Sequence, residues 1–170
     1  MLRGRRLGLA LVAASLALLV YVVFGGSDED KVLSRLKEVA RAVETRSDET
    51  NALLRTARIN GVFKQALEPD VRFTAPELGS MSGTRALAVL AGEAPLNFGD
   101  VTVSVGATDI HVEGRVAHAV SQVTLTAARG GELRREQRNV RFELRRSGGD
   151  WRIGAIEVEP AKEAQPEARP

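Results

Sequence analysis

The chain contains no cysteine among its 170 residues. This absence excludes disulfides, zinc sites with thiolate ligands, thiol catalysis and the cysteine-linked anchor of a bacterial lipoprotein. Aromatic residues are also scarce, at 4% of the sequence. A hydrophobic core must therefore be built from leucine, valine, isoleucine and alanine, which predicts a domain of modest stability.

A strong excess of either charge is missing as well. The chain carries 24 lysines and arginines against 22 aspartates and glutamates. Three of the basic residues, Arg3, Arg5 and Arg6, precede an apolar segment near the N-terminus, which leaves 21 basic and 22 acidic residues after them, a net charge of −1. This balance gives no electrostatic reason to expect a nucleic acid as partner.

The apolar segment runs from Leu7 to Phe24 and has no charged side chain. As a helix it would be about 27 Å long, close to the thickness of the hydrocarbon core of a bilayer. Because the basic residues precede it and an acidic run follows at 28–30, the positive-inside rule predicts a cytoplasmic N-terminus and an exported domain. A cleaved signal peptide is the alternative, since small residues at 25–27 offer a cleavage site. We predict an uncleaved anchor in the inner membrane, and both alternatives export the domain.

Helical patterns fill the first half of the exported part. Ser27 can cap a helix whose apolar residues recur at spacings of three and four. A second helix has Leu53 and Leu54 at the start of its apolar face and ends at Pro69. A short third helix is stopped by Gly92, and the segments on both sides of it are predicted as loops. The first and third predicted helices cover 28–45 and 85–91.

The second half changes to the period of two that is typical of strands. Glycine pairs at 130–131 and 148–149 predict two hairpin turns. The inward parity shifts near Gly154, which predicts a β-bulge there. Residues 160–170 show no periodicity and are predicted to be a disordered tail. The predicted fold class is α+β: helices packed on one face of a curved antiparallel sheet.

Three stretches of sequence resemble the nuclear transport factor 2-like superfamily, a cone-shaped fold that includes SnoaL-like domains. They are LEPDVRF at 67–73, GTRAL at 83–87 and FELRRSGGDWRI at 142–153. The resemblance covers roughly residues 30 to 159 and implies a cone-shaped domain there. Together with the apolar segment, this predicts a basic stub and membrane helix at 1–26 and a nuclear transport factor 2-like domain at 27–159. The resemblance also implies that the open end of the cone binds a small hydrophobic ligand, performs acid–base chemistry, or stays empty while the sheet forms dimers.

The chain has two histidines, His111 and His118, and Asp109 precedes them on the same predicted strand pair. If His118 faced the cavity, it could abstract a proton from a bound carbonyl compound while Asp109 orients it. His118 shares the parity of Val116 and Val120, which is compatible with an inward position. The alternative is that Asp109 and His111 lie on the exposed face and that His118 is a hydrogen-bonded core residue.

Two further side chains are candidates for ligand binding. Gln122 would line an open cavity together with His118 and Asp109. Trp151 is predicted as a core anchor, with stacking on a ligand as the alternative. The arginines between 134 and 152 form either a basic patch for an acidic partner or a solvated face paired with the interleaved glutamates, and the mixed signs favour the solvated face. No phosphate loop, zinc signature or nucleophile elbow is present, so we predict no cofactor and no metal.

Two hypotheses follow from the sequence. The preferred one is a membrane-tethered, non-enzymatic extracytoplasmic domain for ligand binding or protein assembly, with a protein partner or a homodimer. The alternative is a SnoaL-like isomerase or hydrolase acting on a small hydrophobic substrate. An open cavity lined by the acid–base residues would favour the enzyme, and a closed, side-chain-filled cone would favour the assembly role.

Overall fold

The computed structural model describes residues 26–45 and 51–160. Helices dominate the first half of this part and long strands the second, in the order that the sequence periodicity predicts. The helices are α1 (Asp28–Val43), α2 (Ala52–Ala66) and α3 (Thr84–Phe98). The strands are β1 (Leu67–Ala75), β2 (Gly79–Ser82), β3 (Asp100–Glu113), β4 (Val116–Arg129), β5 (Glu132–Ser147) and β6 (Asp150–Val158).

The strands form one curved sheet in the order β2-β1-β6-β5-β4-β3. The predicted α+β class is confirmed, but the prediction of a fully antiparallel sheet is wrong, because β1 pairs with β6 in parallel. Strands joined by tight hairpins must run antiparallel, as β3 to β6 do. Most of the domain lies between β1 and β6 in the sequence. This long connection allows the two strands to pair in either direction.

Helix α1 begins as predicted at a capping box. The Ser27 Oγ accepts a hydrogen bond from the backbone N–H of Asp30 at 3.1 Å, and the Asp30 carboxylate accepts one from the backbone N–H of Ser27 at 3.0 Å. Val32 and Leu36 then point into the core with exposures of 0% and 2%. These two hydrogen bonds give partners to backbone N–H groups that have no acceptor within the helix itself.

The predicted third helix, 85–91, is too short. The helix runs on through Gly92 and Pro95 to Phe98, and the predicted loop before it contains β2. Gly92 is buried against α2, where a Cβ would overlap the side chain of Thr56. The glycine therefore permits close helix packing and does not end the helix, a distinction that local sequence patterns do not make.

The predictions for the hairpins and the bulge are confirmed. The turns after β4 and β5 contain the two glycine pairs, all with positive φ angles between 60° and 97°. The register between β5 and β6 shifts at Glu143 and Leu144, opposite Gly154. A Cβ on Gly154 would lie 2.6 Å from the Glu68 Oε2, so the glutamate side chain would have to move for any larger residue at the bulge.

A layer of apolar side chains fills the space between the helices and the sheet. Its largest fully buried members include Trp151, Ile59, Leu67 and Leu144. No helix within residues 26–45 and 51–160 is long and apolar enough to cross a membrane. The predicted anchor at 7–24 and all but the first residue of the predicted tail lie outside the described residues.

Candidate interaction surface

The structure brings the predicted acid–base residues together on two neighbouring strands. His111 of β3 lies directly opposite His118 of β4, and Asp109 is two residues away from His111. The His111 Nε2 is 2.9 Å from the Glu113 Oε1, and both side chains are 72% exposed. All of these residues lie on the outer face of the sheet, which is covered by none of the helices α1, α2 and α3.

His118 does not take the inward position that its parity allowed. β4 turns Ala117 and Ala119 into the core, with exposures of 0% and 1%, and His118 between them is exposed. The alanines lie beside the larger Leu144 and Phe142 of β5, which leave little room for longer side chains on β4. Side-chain size therefore decides the parity of this strand, and catalysis by His118 and Asp109 stays a prediction.

Gln122 also lies on the exposed face of β4, so it lines no cavity with His118 and Asp109. Within the described ranges, no group of three histidine, aspartate or glutamate side chains is placed to hold a metal ion. The outer face of β3 and β4 thus offers polar groups to solvent and no enclosed space in which a proton could be transferred to a substrate.

Trp151 is a core residue with an exposure of 2%. Its indole N–H donates to the Asp28 Oδ1 at 3.4 Å, and the guanidinium of Arg146 lies 6.0 Å from the ring centre. A half-open groove of about 210 Å³ separates α1 from the turn before Trp151. This is smaller than the ~300–1,000 Å³ that is usual for a small-molecule site. Charged residues line it, and Arg35 is paired with Glu38 at 2.6 Å.

Most arginines of β5 are paired with nearby carboxylates. Arg145 lies 2.9 Å from Glu143, and Arg141 lies 2.8 Å from Glu159. A hydrogen bond from Arg145 to Glu143 raises the pKa of the arginine above its ordinary value. These pairs agree with the interpretation of the region as a solvated face of mixed charge, because little of its positive charge is left without a countercharge.

Large apolar side chains are exposed at one end of the helical layer. Leu53 and Leu54 in the first turn of α2 are 79% and 65% exposed, and Leu96 and Phe98 in the last turn of α3 are 64% and 54% exposed. We call these four residues the apolar end. Scattered exposed leucines are ordinary, but a group of large apolar side chains on neighbouring elements is typical of a surface that another molecule covers.

The packing of α2 on α3 brings the two pairs close together. Arg55, buried at 5% exposure, donates a hydrogen bond to the backbone carbonyl of Gly92 at 3.2 Å. The first turn of α2 therefore lies beside the C-terminal half of α3. Every residue of the apolar end is within about two helical turns of this contact.

Sequence reasoning missed this surface, because it assigned Leu53 and Leu54 to the buried face and Phe98 to a loop. Adjacent helical residues are separated by about 100°, so two neighbouring leucines lie at different parts of an apolar stripe, and the pattern alone does not decide which of them is buried. What the pattern could not show is that the charged Arg55 takes the inward position of that turn.

The apolar end and the start of α1 lie at opposite ends of the domain. Phe98 is two residues before Asp100, which pairs with Ala128 near the turn between β4 and β5. Asp28 at the start of α1 contacts Arg146 and Trp151 near the turn between β5 and β6. β5 connects the two turns with 16 residues, a length of about 50 Å in an extended strand.

No protein-family model matches the sequence, and no curated protein matches it. Solved structures are similar over most of the domain at low sequence identity. A nuclear transport factor 2-like protein with a cystatin-like fold from Novosphingobium aromaticivorans is 17% identical, with a TM-score of 0.61 and coverage of 86% of both chains. A nuclear transport factor 2-like superfamily protein from Salmonella enterica is 17% identical, with a TM-score of 0.64 over 82% of this chain and 95% of that one. A CaMKII hub from S. rosetta is 12% identical, with a TM-score of 0.63 over 80% and 98%. The chain therefore has the nuclear transport factor 2-like, cystatin-like fold.

Proposed function

We propose that this chain is a non-enzymatic assembly domain, tethered to the membrane and exposed outside the cytoplasm, that binds a protein partner through its apolar end. The observation that carries the proposal is the exposure of Leu53, Leu54, Leu96 and Phe98 on two packed helices. Burial of each such side chain against a partner is favourable by roughly 1.5–3 kcal/mol. The expected partner presents a complementary apolar surface.

The tether places the apolar end where a partner can reach it. The uncharged run at 7–24 with its basic flank supports a membrane anchor. α1 is the first described helix after this run, and its start lies at the end of the domain opposite the apolar end. Tethering confines both molecules to the membrane plane and so raises their effective concentration.

The fold neighbours are compatible with an assembly role but do not assign one. One of them is a CaMKII hub, so this fold serves as a hub in that protein. Since a fold of this kind hosts unrelated functions, the argument rests on the exposed side chains and not on the fold. In the part of the chain that the structure describes, no observation favours the isomerase or hydrolase alternative, because His118 and Asp109 face solvent on the outer face.

Replacement of the apolar end by acidic residues tests the proposal. The full chain carries a photo-crosslinker at position 54 in its native membrane, and Phe98→Asp and Leu96→Asp are compared with the unsubstituted protein. Leu78→Asp is the matched control, since Leu78 is as exposed as Phe98, at 54%, but lies in the turn between β1 and β2. We expect the crosslinked partner band to fall at least tenfold in both apolar-end variants and to persist in the control. Equal crosslinking in all four proteins would contradict the proposal.

A further inference from the structure

The strand β5 has one edge that is only half covered. β6 pairs with β5 from Val140 to Ser147, and the last backbone contact is a 2.9 Å hydrogen bond from the Glu159 N–H to the Asn139 carbonyl. Residues 132–138 pair with β4 on one side and, in the described part of the chain, with no strand on the other. A free edge of this kind is a template for another strand.

The hydrogen-bonding direction along this edge follows from the bond at Asn139. In an antiparallel ladder the backbone groups of successive residues point to alternate sides of the strand. Asn139 points away from β4, so Leu133, Arg135 and Gln137 also direct their N–H and carbonyl groups outward. The pairing of β4 with β5 has no bulge between 132 and 145, so this alternation is continuous.

The side chains of the free edge have a self-complementary order of charge. On the face that continues the core positions of β5, the even-numbered residues 132 to 138 are Glu132, Arg134, Glu136 and Arg138. A second copy that runs antiparallel with Arg135 on the twofold axis would place Glu132 opposite Arg138, which also contacts Glu77 and Glu136 of its own chain, and Arg134 opposite Glu136. Both pairs occur twice because of the symmetry. The one like-charged contact, Arg135 with itself, lies on the exposed side of the strand and is screened by salt.

We propose that a second copy of this chain binds antiparallel along residues 132–138 and joins the two sheets into one. The outward groups at 133, 135 and 137 then form about six backbone hydrogen bonds across the twofold axis, two for each hydrogen-bonded pair. The contact uses a different surface from the apolar end, so it goes beyond the proposed partner site. A seven-residue strand pair buries less area than a stable interface needs, so the dimer is weak and sensitive to salt.

A disulfide at the twofold axis provides the test. The chain has no cysteine of its own, so Arg135→Cys introduces a single thiol in the full protein. Two such residues in a hydrogen-bonded antiparallel pair have Cα atoms about 5.5 Å apart, within the range that a disulfide bridges. We expect mild oxidation in the membrane to give a crosslinked dimer of Arg135→Cys. Arg72→Cys, on the interior strand β1 and equally open to solvent, is the matched control and should give at least fivefold less dimer.

Charge reversal in the Arg135→Cys background tests the register. Arg134→Glu alone places glutamates opposite each other, and Glu136→Arg alone places arginines opposite each other. Each should lower the crosslink about fivefold or more. The two singly reversed chains, given different tags and mixed, should crosslink with each other again, because opposite charges then face across the axis.

Three results would overturn the proposal. The first is a dimer yield of Arg135→Cys no higher than that of Arg72→Cys. The second is a failure of the mixed chains to recover the crosslink. The third is a crosslink that forms only after removal of residues 161–170, which would assign the edge to this chain's own C-terminal segment. Phe98→Asp should leave the crosslink unchanged, so failure here and failure at the apolar end are separable.

Discussion

Gly92 and Gly61 both lie inside helices, but their surroundings differ. A Cβ on Gly92 would overlap the Thr56 side chain, whereas nothing lies within 4 Å of the position that a Cβ on Gly61 would occupy. We therefore expect Gly92→Ala to destabilise the domain by about 1–3 kcal/mol through overpacking. Gly61→Ala should stabilise it by up to about 1 kcal/mol, because alanine restricts the unfolded chain and favours the helix.

Urea unfolding followed by the fluorescence of Trp151, the single tryptophan, measures both changes. The two substitutions add the same methyl group to the same type of element, so each is the control for the other. A change of the same sign in both proteins would contradict the packing argument for Gly92.

The carboxyl group of Glu77 provides a prediction about pH. Hydrogen bonds from its own backbone N–H and from the Arg138 guanidinium, which is 2.8 Å away, hold the pKa of Glu77 below its ordinary value. The stability that this ion pair contributes is therefore present above the unfolded-state pKa and is lost as the pH falls through the lower folded-state pKa. In Arg138→Gln we expect the pKa of Glu77 to rise, because the second of the two hydrogen bonds loses its charge.

Nuclear magnetic resonance titration of the Glu77 carboxyl in both proteins measures this shift. Arg72→Gln is the control. Arg72 is exposed on β1, the strand before the Glu77 turn, and its replacement by glutamine removes one positive charge, as Arg138→Gln does. An unchanged midpoint in Arg138→Gln would show that the backbone hydrogen bond alone lowers the pKa.

At the scale of elements, α1 is attached at its start to the turn between β5 and β6. Its cap at Ser27 fixes the first turn, where Asp28 reaches both Arg146 and the Trp151 indole. Ser27→Ala should cost about 1 kcal/mol of unfolding free energy, because the N–H of Asp30 then loses its acceptor. Ser34→Ala in the exposed middle of the same helix should cost nothing, since alanine favours a helix interior. Equal destabilisation by the two changes in urea unfolding would sink this account of the cap.

The elements that the sequence predicts well are those with local causes. The capping box of α1, the glycine-pair hairpins and the bulge at Gly154 are each specified by a few neighbouring residues. The length of α3 was missed because Gly92 owes its place to a contact with α2, far away in sequence. The parallel pairing of β1 with β6 was missed for the same reason, since no local pattern sets the direction of strands that are joined through the rest of the domain.

The candidate surface was less predictable than the fold. Apolar periodicity assigns every leucine of a helix to the core, so Leu53 and Leu54 were expected to be buried. The structure exposes them because Arg55 occupies the inward position and satisfies a carbonyl of α3. Conversely, histidines attract a catalytic interpretation from composition alone, and only the register of β4 shows that His118 faces outward.

At the scale of the whole molecule, the start of α1 and the apolar end lie at opposite ends of the long axis. The start of α1 lies at the end formed by the turn between β5 and β6, and the apolar end lies beside the start of β3. The 16 residues of α1 correspond to about 24 Å. The proposed tether before α1 would therefore hold the apolar end away from the bilayer, and the free edge of β5 begins at that same distal end.

This arrangement predicts different distances from the membrane for two exposed positions. Because the chain has no cysteine, Lys31→Cys near the start of α1 and Leu54→Cys at the apolar end each give one labelling site. We expect a membrane-impermeant maleimide to label both in intact cells, since the domain is proposed to be outside the cytoplasm. Lipid-embedded spin labels should then quench a fluorophore at position 31 at least twice as strongly as one at 54, because about 24 Å of helix separates the two ends of α1. Labelling only after cell lysis would refute the proposed orientation, and stronger quenching at 54 would place the apolar end against the lipid surface instead of a protein partner.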